Sequence, residues 1–315
     1  MILNPVPWPD GAKCAVALTF DMDADSILHL EHPEDSIIRV SAISMLRYGP
    51  EVAVPRIVET YKRFGIKQTF FVPAWCIEQY PRAVEIMLEG GHEVAHHGYI
   101  HENPTDGSRE EQAYWLRRAI DVIVGATGQR PRGWRAPLYN FSDHSADLLV
   151  DEGFLYDASL MGDDVPYVLR TKGGDLIELP AHWGVDDWPQ FVQSMDLDYM
   201  MPIKSASAGI DVFKQEFDAM WEHGGLFVGV WHPFCTGRLA RWLEVVKLIE
   251  YMLKKGKVWF APMEKIAAHV KACIDNGSYT PRIDHLPYYA ERVAVKPVGG
   301  AAKGAKAAKK GRARL

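Results

Sequence analysis

Short apolar segments alternate with longer amphipathic segments along most of the chain. Eight of the short segments are rich in Val, Ile, Leu, Phe and Ala, which is typical of strands buried in a parallel sheet. These predicted strands are residues 14–21, 67–73, 92–97, 133–137, 153–159, 176–181, 226–232 and 258–262. Seven or eight strand-and-helix units in one chain predict an α/β fold built as a barrel, complete or imperfectly closed.

Three of the longer segments carry apolar residues at the spacing of one helix face. Those residues are Val54, Ile57, Val58, Tyr61 and Phe64 in the first segment, Leu116, Ile120, Ile123 and Val124 in the second, and Leu243, Val246, Ile249 and Leu253 in the third. Ser108 and Glu111 have the spacing of a capping box, which predicts the start of the second helix. Gly256 predicts the end of the third helix.

Residues 287–315 differ in composition from the rest of the chain. They are rich in Ala, Gly, Lys and Arg, and their large apolar residues are too few to form a core. We therefore expect one folded domain over residues 1–286 and a disordered basic tail over residues 287–315. Anion binding by the tail is an alternative to a simple solvated end.

Bulk properties narrow the classes of partner. The net charge of −6 argues against nucleic acid or an anionic membrane as the main partner, because neither attracts an acidic protein at long range. No run reaches the eighteen apolar residues of a membrane span, and the first residues lack the pattern of a secretory signal. The cysteines form no CxxC pair, which favours buried free thiols in a reducing compartment; they are Cys14, Cys76, Cys235 and Cys273. We expect a cytoplasmic protein that acts on a small or neutral molecule.

Two carboxylates follow the first predicted strand. Asp21 and Asp23 are two residues apart, so an extended backbone points both side chains to the same side. In a barrel of parallel strands, reactive groups gather at the carboxyl ends of the strands. The pair is therefore a candidate for chemistry, although such a pair is also common in structural loops.

The stretch GHEVAHHGYIHENP holds four histidines around the end of the third predicted strand. His97 and His101 are four residues apart, so both can reach one metal ion if the residues between them form a helical turn. The residue after His97 is Gly98, whereas a zinc protease of the HExxH type has glutamate there. His92 lies at the strand start, far from the carboxyl end, so it is a weaker candidate ligand. His96 faces the opposite way on the strand, so we expect it to pack in the core.

One carboxylate and two imidazoles leave an open position on a zinc ion, as a hydrolytic metal site requires. Asp23, His97 and His101 would provide those ligands, and Asp21 would then be available as a general base. We therefore predict a site for Zn²⁺ or another divalent metal at this end of the barrel.

Three further strand ends carry candidate residues. Arg135 lies beside a proline and has the chemistry to hold a carboxylate by a two-pronged contact. His232 ends the seventh predicted strand and is a candidate acid for a leaving nitrogen. The segment between them is acidic and aromatic. Either of its two aspartates is suited to orient His232, and its two tryptophans are suited to form the wall of a substrate cleft. These four residues are Asp186, Asp187, Trp183 and Trp188.

Five motifs, TFDMD, HGYIH, RAPLY, DDW and VWH, occur in this order over residues 19–233. They resemble the five ordered motifs of the polysaccharide deacetylase superfamily, the family-four carbohydrate esterases. The resemblance implies a deformed (β/α)7–8 barrel with one divalent metal ion, usually zinc, and hydrolysis of an acetamide or a related carbon–nitrogen bond.

The same resemblance implies a role for each matching residue. Asp21 resembles the catalytic base and His232 the catalytic acid, while Arg135 resembles the residue that steers the base. Tyr139 lies where a backbone amide of the family assists the oxyanion. The implied metal ligands are Asp23, His97 and His101.

The chain also departs from the common pattern of the superfamily. Met22 separates Asp21 from Asp23, whereas the common first motif has adjacent aspartates, so the division of roles between the two carboxylates is open. The HGYIHENP form and the long segment between Asp25 and Pro55 resemble a cytoplasmic branch that contains peptidoglycan deacetylase-like proteins and cyclic imide hydrolases. That branch implies a narrowed cleft and a homo-oligomer, with a tetramer as the expected form.

Two substrates and two further classes remain open. An N-acetylated sugar needs a groove for neighbouring sugar units, whereas a cyclic imide needs an enclosed pocket. A metal-independent allantoinase-like enzyme would lack the ligand positions, and a non-catalytic barrel would not need the base and the acid as well. Because all of these residues are present, we expect an amide hydrolase.

Overall fold

The computed structural model describes residues 1–291. Its strands are β1 (Cys14–Asp21), β2 (Thr69–Val72), β3 (Glu93–His96), β4 (Gly133–Trp134), β5 (Tyr156–Asp157), β6 (Tyr167–Arg170), β7 (Asp175–Glu178), β8 (Leu226–Trp231), β9 (Val258–Phe260) and β10 (Ile283–His285). All eight strands predicted from the sequence are therefore confirmed, with several of them shorter than predicted. Residues 292–315, most of the predicted tail, lie outside the described residues.

The strands form one sheet in the order β10-β6-β7-β5-β4-β3-β2-β1-β8, and β9 pairs with the first residues of β1. Every pairing is parallel except that between β6 and β7. The sheet does not close fully, but one isolated parallel bridge joins Asp186 to Val230 of β8. The result is the imperfectly closed α/β barrel that the sequence predicts.

Eleven α-helices accompany the strands within residues 1–291. They are α1 (Ser26–Glu31), α2 (Val40–Tyr48), α3 (Val54–Phe64), α4 (Ala74–Gln79), α5 (Pro81–Glu89), α6 (Arg109–Thr127), α7 (Ser145–Asp151), α8 (Trp188–Phe191), α9 (Ala206–His223), α10 (Leu239–Lys255) and α11 (Met263–Asp275). The capping box of Ser108 and Glu111 forms at the start of α6, and Gly256 follows the end of α10, as predicted.

The buried face of α10 matches the predicted one only in part, because Ile249 is buried as predicted but two of the other residues are not. Leu243 and Leu253 are exposed, while Trp242, Val245 and Met252 are buried against the barrel. The helix is apolar on more than one stripe, so periodicity alone did not identify the stripe that faces the core.

Burial is deepest along the central strands. Every residue of β1 and β8 is buried, as expected for parallel strands covered on both faces. The cysteines at 14, 76, 235 and 273 are buried and free, which confirms the prediction of unpaired thiols. Within residues 1–291, no helix is both long and apolar enough to span a bilayer.

Candidate active site

The carboxyl ends of the central strands bring the predicted reactive residues to one edge of the barrel. Asp21 ends β1, His97 directly follows β3, Arg135 directly follows β4 and His232 directly follows β8. Asp23 lies two residues beyond β1 and is only 1% exposed. Parallel strands make this convergence possible because all their carboxyl ends lie at the same edge.

Asp23 lies at the centre of the cluster. Its Oδ1 is 3.3 Å from His97 Nε2, and its Oδ2 is 3.5 Å from His101 Nε2. His232 Nε2 is 3.4 Å from the same Oδ2. Three imidazoles therefore surround one buried carboxylate.

Asp23, His97 and His101 fit a divalent metal ion. Each offers a ligand atom, and these atoms all lie within 4.8 Å of one another. A tetrahedral zinc ion with bonds of about 2.0–2.2 Å separates its donors by roughly 3.4 Å, close to the distances from Asp23 to the two rings. Asp23 Oδ1 is also buried and has no hydrogen-bond partner in the described structure. An orphaned carboxylate oxygen of this kind is explained by a cation.

Two of the three candidate ligands, Asp23 and His101, have pKa shifts that favour metal binding. Burial by itself would raise the pKa of Asp23, but the charge of His101 and contacts with His232 and His97 hold that pKa well below its usual range. Burial lowers the pKa of His101 to about 4, so this ring is neutral at neutral pH. His232 and His97 then stabilise the carboxylate under those conditions. An ionised aspartate and a neutral His101 are forms that bind metal ions. Burial lowers the pKa of His97, but the Asp21 and Asp23 carboxylates outweigh it and raise that pKa, so metal binding would have to release a proton from this ring.

Hydrogen bonds hold the rings of the cluster in place. His97 Nδ1 contacts Arg135 O at 2.8 Å, so Nε2 is the nitrogen that faces Asp23. A carbonyl partner of this kind fixes the tautomer of a metal-binding histidine.

The path from His97 to His101 is an irregular turn, and not the helical turn that would be one way for both rings to reach a single ion. Gly98 and His101 have positive φ angles of 76° and 68°. Both carboxylate oxygens of Glu102 accept from Tyr99 N–H, at 3.0 and 2.9 Å, and Oε2 also accepts from Ile100 N–H at 2.9 Å. A Cβ on Gly98 would lie 3.1 Å from Glu102 Oε1, so the turn needs glycine there.

Arg135 holds Asp21 and not a substrate carboxylate. Its side chain is fully buried, and Nη1 donates to Asp21 Oδ1 at 2.5 Å and to Thr19 Oγ1 at 3.0 Å. Nε donates to Ala158 O at 3.1 Å. The predicted two-pronged grip is therefore replaced by a single nitrogen that contacts both the carboxylate and the threonine.

Asp187 is the aspartate that supports His232. Its Oδ1 lies 2.6 Å from His232 Nδ1, and its Oδ2 accepts from the backbone N–H groups of His232 and Thr236 at 2.9 and 3.1 Å. Burial lowers the pKa of His232, but the carboxylates of Asp187 and Asp23 outweigh it and hold the pKa well above its ordinary value. The arrangement favours a protonated Nε2 directed at the cluster.

Asp186 has a different partner. Its Oδ2 accepts from Tyr139 O–H at 2.6 Å, and its Oδ1 accepts from Trp188 N–H at 2.7 Å. Burial raises the pKa of Asp186 to about 7. Asp186 therefore connects two segments that line the site.

Tyr139 lies beside the cluster, but its backbone amide is already engaged. Its N–H donates to Ala136 O at 3.0 Å, and its φ angle is 57°. Assistance to an oxyanion by this N–H, as the resemblance implies, would require the bond to be shared or broken. The phenol is held in place by Asp186.

The other two histidines of the stretch are packed in the core, which confirms the expectation for His96. His92 Nδ1 accepts from Gln68 N–H at 3.0 Å, and its ring lies against Tyr61 and Phe70. His96 Nδ1 accepts from Gly98 N–H at 3.1 Å, and its Nε2 lies 3.2 Å from Leu116 O.

A cavity of about 920 Å³ opens above the cluster. Asp21, Asp23, His97, His101 and His232 line its floor. Its walls include Tyr139, Trp183, Trp188, Tyr199 and Trp115. Trp183 is 51% exposed, and the Trp188 ring lies 5.2 Å from His232. Both tryptophans thus lie where the sequence predicted a cleft wall.

Sequence reasoning missed two residues that shape the site. Glu102 holds the turn between the histidines, and Thr19 shares the guanidinium of Arg135 with Asp21. Both lie inside or next to the motifs TFDMD and HGYIHENP. Thr19 is an uncharged strand residue and Glu102 is a loop residue, so neither stands out in the sequence as part of a site. Only the folded backbone shows which N–H groups need an acceptor.

Comparisons with known proteins point to one family. The family model of polysaccharide deacetylases matches residues 41–156, which include His97, His101, Arg135 and Tyr139. The chain is 29% identical to the peptidoglycan deacetylase of Helicobacter pylori over 253 residues, which are 71% of this chain and 86% of that protein.

Solved structures agree with this. The structure of a candidate polysaccharide deacetylase from Mycobacterium smegmatis is 36% identical, has a TM-score of 0.85, and aligns over 94% of this chain and 99% of that one. A Puue allantoinase matches with a TM-score of 0.76 and 23% identity, over 86% of this chain and 94% of that one. At that identity the second likeness concerns the fold alone.

Proposed function

This chain belongs to the polysaccharide deacetylase family, and from that premise we propose that it is a zinc-dependent hydrolase that removes acetyl groups from an N-acetylated sugar. One observation carries the proposal. The Asp23, His97 and His101 donors meet at one point, with the Asp21 carboxylate and the His232 imidazole beside them on the cavity floor.

Asp23, His97 and His101 would hold the ion. A divalent metal supplies a Lewis acid that polarises an amide carbonyl and lowers the pKa of a water molecule. His97 is held by a backbone carbonyl and His101 by the turn around Glu102, so the donor set is preorganised by the chain.

Asp21 is suited to the role of general base. Arg135 fixes one side of the carboxylate, because its Nη1 donates to Asp21 Oδ1 and is itself held by Thr19 Oγ1. Asp21 also lines the cavity. Asp21 Oδ2 lies 3.7 Å from His97 Nε2. This oxygen is available to take a proton from an attacking water molecule. The Arg135 guanidinium pairs with Asp21 Oδ1 and so holds the carboxylate in a fixed orientation, as a general base requires.

His232 is suited to the role of general acid. Asp187 binds Nδ1, so the Nε2 proton faces the cavity floor. An amide nitrogen cannot leave as an anion, and proton donation from Nε2 would let it leave as an amine. The pairing of a base and an acid across the metal donors favours amide hydrolysis over a non-catalytic barrel.

The cavity favours a sugar over a small ring. Ligand sites of roughly 300–1,000 Å³ hold drug-sized molecules, and the volume of about 920 Å³ is near the upper end of that range. The tryptophans at 183 and 188 offer apolar faces of the kind on which sugar rings pack. A cyclic imide hydrolase is the alternative that the sequence leaves open, and the same cavity admits such a ring.

A paired assay tests the proposal. The purified protein is incubated with N-acetylglucosamine tetramer, with release of acetate measured, and with succinimide, with ring opening measured. We expect acetate release that a chelator abolishes and Zn²⁺ restores. Ring opening without acetate release would mean that the substrate is a cyclic imide and not an N-acetylated sugar. Activity that survives complete removal of metal would contradict the metal-dependent mechanism. The predicted oligomer and cytoplasmic location stay predictions.

A further inference from the structure

The cavity above the cluster is acidic beyond the needs of the metal donors. It is lined by seven residues with a carboxyl group. Two are Asp21 and Asp23, and the other five are Glu31, Glu102, Asp106, Glu111 and Asp186. Burial raises the pKa of Asp186 to about 7, so this group contributes only part of a negative charge at neutral pH. Among the residues of 1–291 that line the cavity, none is a lysine or an arginine.

The positive groups near the floor are already committed. Arg135 is fully buried, pairs with Asp21 and does not line the cavity. A divalent ion would share its charge with Asp23. No guanidinium or ammonium lines the cavity within residues 1–291, and the cationic His232 ring that does line it is already paired with Asp187 and Asp23. Binding a substrate carboxylate, sulfate or phosphate here would therefore leave most of its charge unpaired.

The acidic groups occupy two sides of the opening. Glu31 is exposed at the end of α1, and Asp106 and Glu111 lie around the start of α6. A cleft lined by charges of one sign concentrates their field, so its effect on a charged substrate exceeds that of isolated surface groups. The aromatic walls add packing surface without adding charge.

We propose that this cavity selects by charge: it accepts neutral or cationic amides and rejects substrates that carry an anionic group close to the scissile bond. This rests on the proposed function for its reaction, and it narrows the substrate class. A neutral N-acetylated sugar, or one next to a free amino sugar, fits the cavity. A sugar unit that bears a carboxylate does not.

Matched substrates test the selection. kcat/KM is measured for N-acetylglucosamine tetramer, for the tetramer with some units N-deacetylated, and for the tetramer oxidised to the carboxylate at C6. The imide pair is succinimide and a carboxylated succinimide. We expect the carboxylated member of the active pair to be at least tenfold poorer at low salt, with the gap narrowing at high salt. Equal turnover of neutral and anionic members overturns the inference.

One variant and its control locate the effect. Glu31→Gln removes a cavity carboxylate, while Glu34→Gln removes an exposed carboxylate three residues away that does not line the cavity. We expect Glu31→Gln to reduce discrimination against the anionic substrate by about twofold, since single exposed charges act weakly. Glu34→Gln should leave it unchanged. An equal change in both variants would mean that general surface charge, and not the cavity, selects the substrate.

A second measurement does not depend on turnover. Trp183 is exposed in the cavity, so the difference between the native protein and Trp183→Phe isolates its fluorescence. Quenching by caesium and by iodide is measured at constant ionic strength and divided by the value for N-acetyltryptophanamide. We expect caesium to quench at least twice as efficiently as iodide on this scale.

Equal or greater quenching by iodide overturns the inference and leaves the proposed function untouched. If neither the neutral sugar nor succinimide is turned over, the proposed function fails, and the quenching ratio alone decides whether the cavity selects by charge.

Discussion

The orientation of the His97 ring and that of the His232 ring are each fixed by a hydrogen bond to Nδ1. His97 Nδ1 is hydrogen-bonded to the backbone carbonyl of Arg135, and His232 Nδ1 to the Asp187 carboxylate. Both Nε2 atoms therefore face Asp23. One ring would bind metal and the other would donate a proton. The difference follows from the charge of the second partner, because a carboxylate raises the proton affinity of a ring and a carbonyl does so less.

His101→Ala should remove both the metal and the activity. The variant loses one of three protein donors, and the remaining two hold an ion far less tightly. Metal content after gel filtration, measured by atomic absorption, gives the result. His144→Ala, which changes a histidine on the loop before α7, is the control and should keep the native metal content. A full metal load in His101→Ala would sink the ligand assignment.

Asp21→Asn should keep the metal and lose most of the rate. An amide cannot act as a base at neutral pH, so kcat should fall by about a hundredfold or more. Asp23→Asn should instead lose the metal, because it removes a ligand. Metal analysis of both variants settles which carboxylate has which role. If Asp21→Asn is the variant that loses metal, the roles are exchanged, as the inserted Met22 left open from the sequence.

The neighbours Asp186 and Asp187 should give different kinetic defects. Asp187→Asn removes the carboxylate that orients and charges His232, so kcat should fall by about a hundredfold or more. Asp186→Asn disturbs Tyr139 and the cavity wall, so a rise in KM should dominate. Steady-state kinetics with the active substrate tests both. Equal falls in kcat with unchanged KM would show that both aspartates act through His232.

At the scale of elements, strand ends could be predicted and loop geometry could not. Buried parallel strands have near-continuous apolar sequences, so β1 and β8 were found to the residue or nearly so. Their ends then located Asp21 and His232. The irregular turn from Gly98 to His101 could not be predicted, because its shape depends on Glu102 and on positive φ angles that spacing does not reveal.

The missed strands β6 and β10 have a physical reason too. They are short, β10 is half-exposed or exposed along its length, and β6 is the partner of the single antiparallel pairing. Neither has the long apolar run that marks the central strands. The open question of which aspartate supports His232 also needed the fold, since two adjacent residues differ only in the direction of their side chains.

The turn around Glu102 should control metal affinity. Glu102→Ala removes the acceptor for the Tyr99 and Ile100 N–H groups, so the turn that presents His101 loosens. Loss of such a supporting group typically weakens metal binding by about 10–100-fold. Competition with a metal chelator measures the affinity. Glu102→Gln keeps one acceptor oxygen, so its metal affinity should lie between that of the native protein and that of Glu102→Ala. Native affinity in Glu102→Ala would mean that backbone geometry alone fixes the turn.

At the scale of the whole molecule, the barrel buries ionisable groups that the proposed reaction does not use. Glu93 is enclosed by Thr69, Tyr156 and the start of α11, and burial raises its pKa to about 7. His92 directly precedes Glu93 and its ring lies against Tyr61 and Phe70, and burial lowers its pKa to about 4. Such groups couple the stability of the fold to pH.

His92 should make the fold sensitive to acid. Its pKa rises from about 4 in the folded chain to 6.5 when unfolded, so the unfolded chain binds more protons between these values. The contribution of His92 to the free energy of unfolding is therefore fully present above pH 6.5. It falls as the pH drops towards 4, and about 2 kcal/mol is lost at pH 5.

His92→Asn keeps an acceptor for Gln68 N–H but does not titrate, so its unfolding free energy should fall less steeply below pH 6.5. Urea unfolding at several pH values measures the slopes, with His144→Asn as the control that keeps the native slope. Parallel curves for His92→Asn and the native protein would mean that protonation of this ring does not drive acid unfolding, and that other buried groups do.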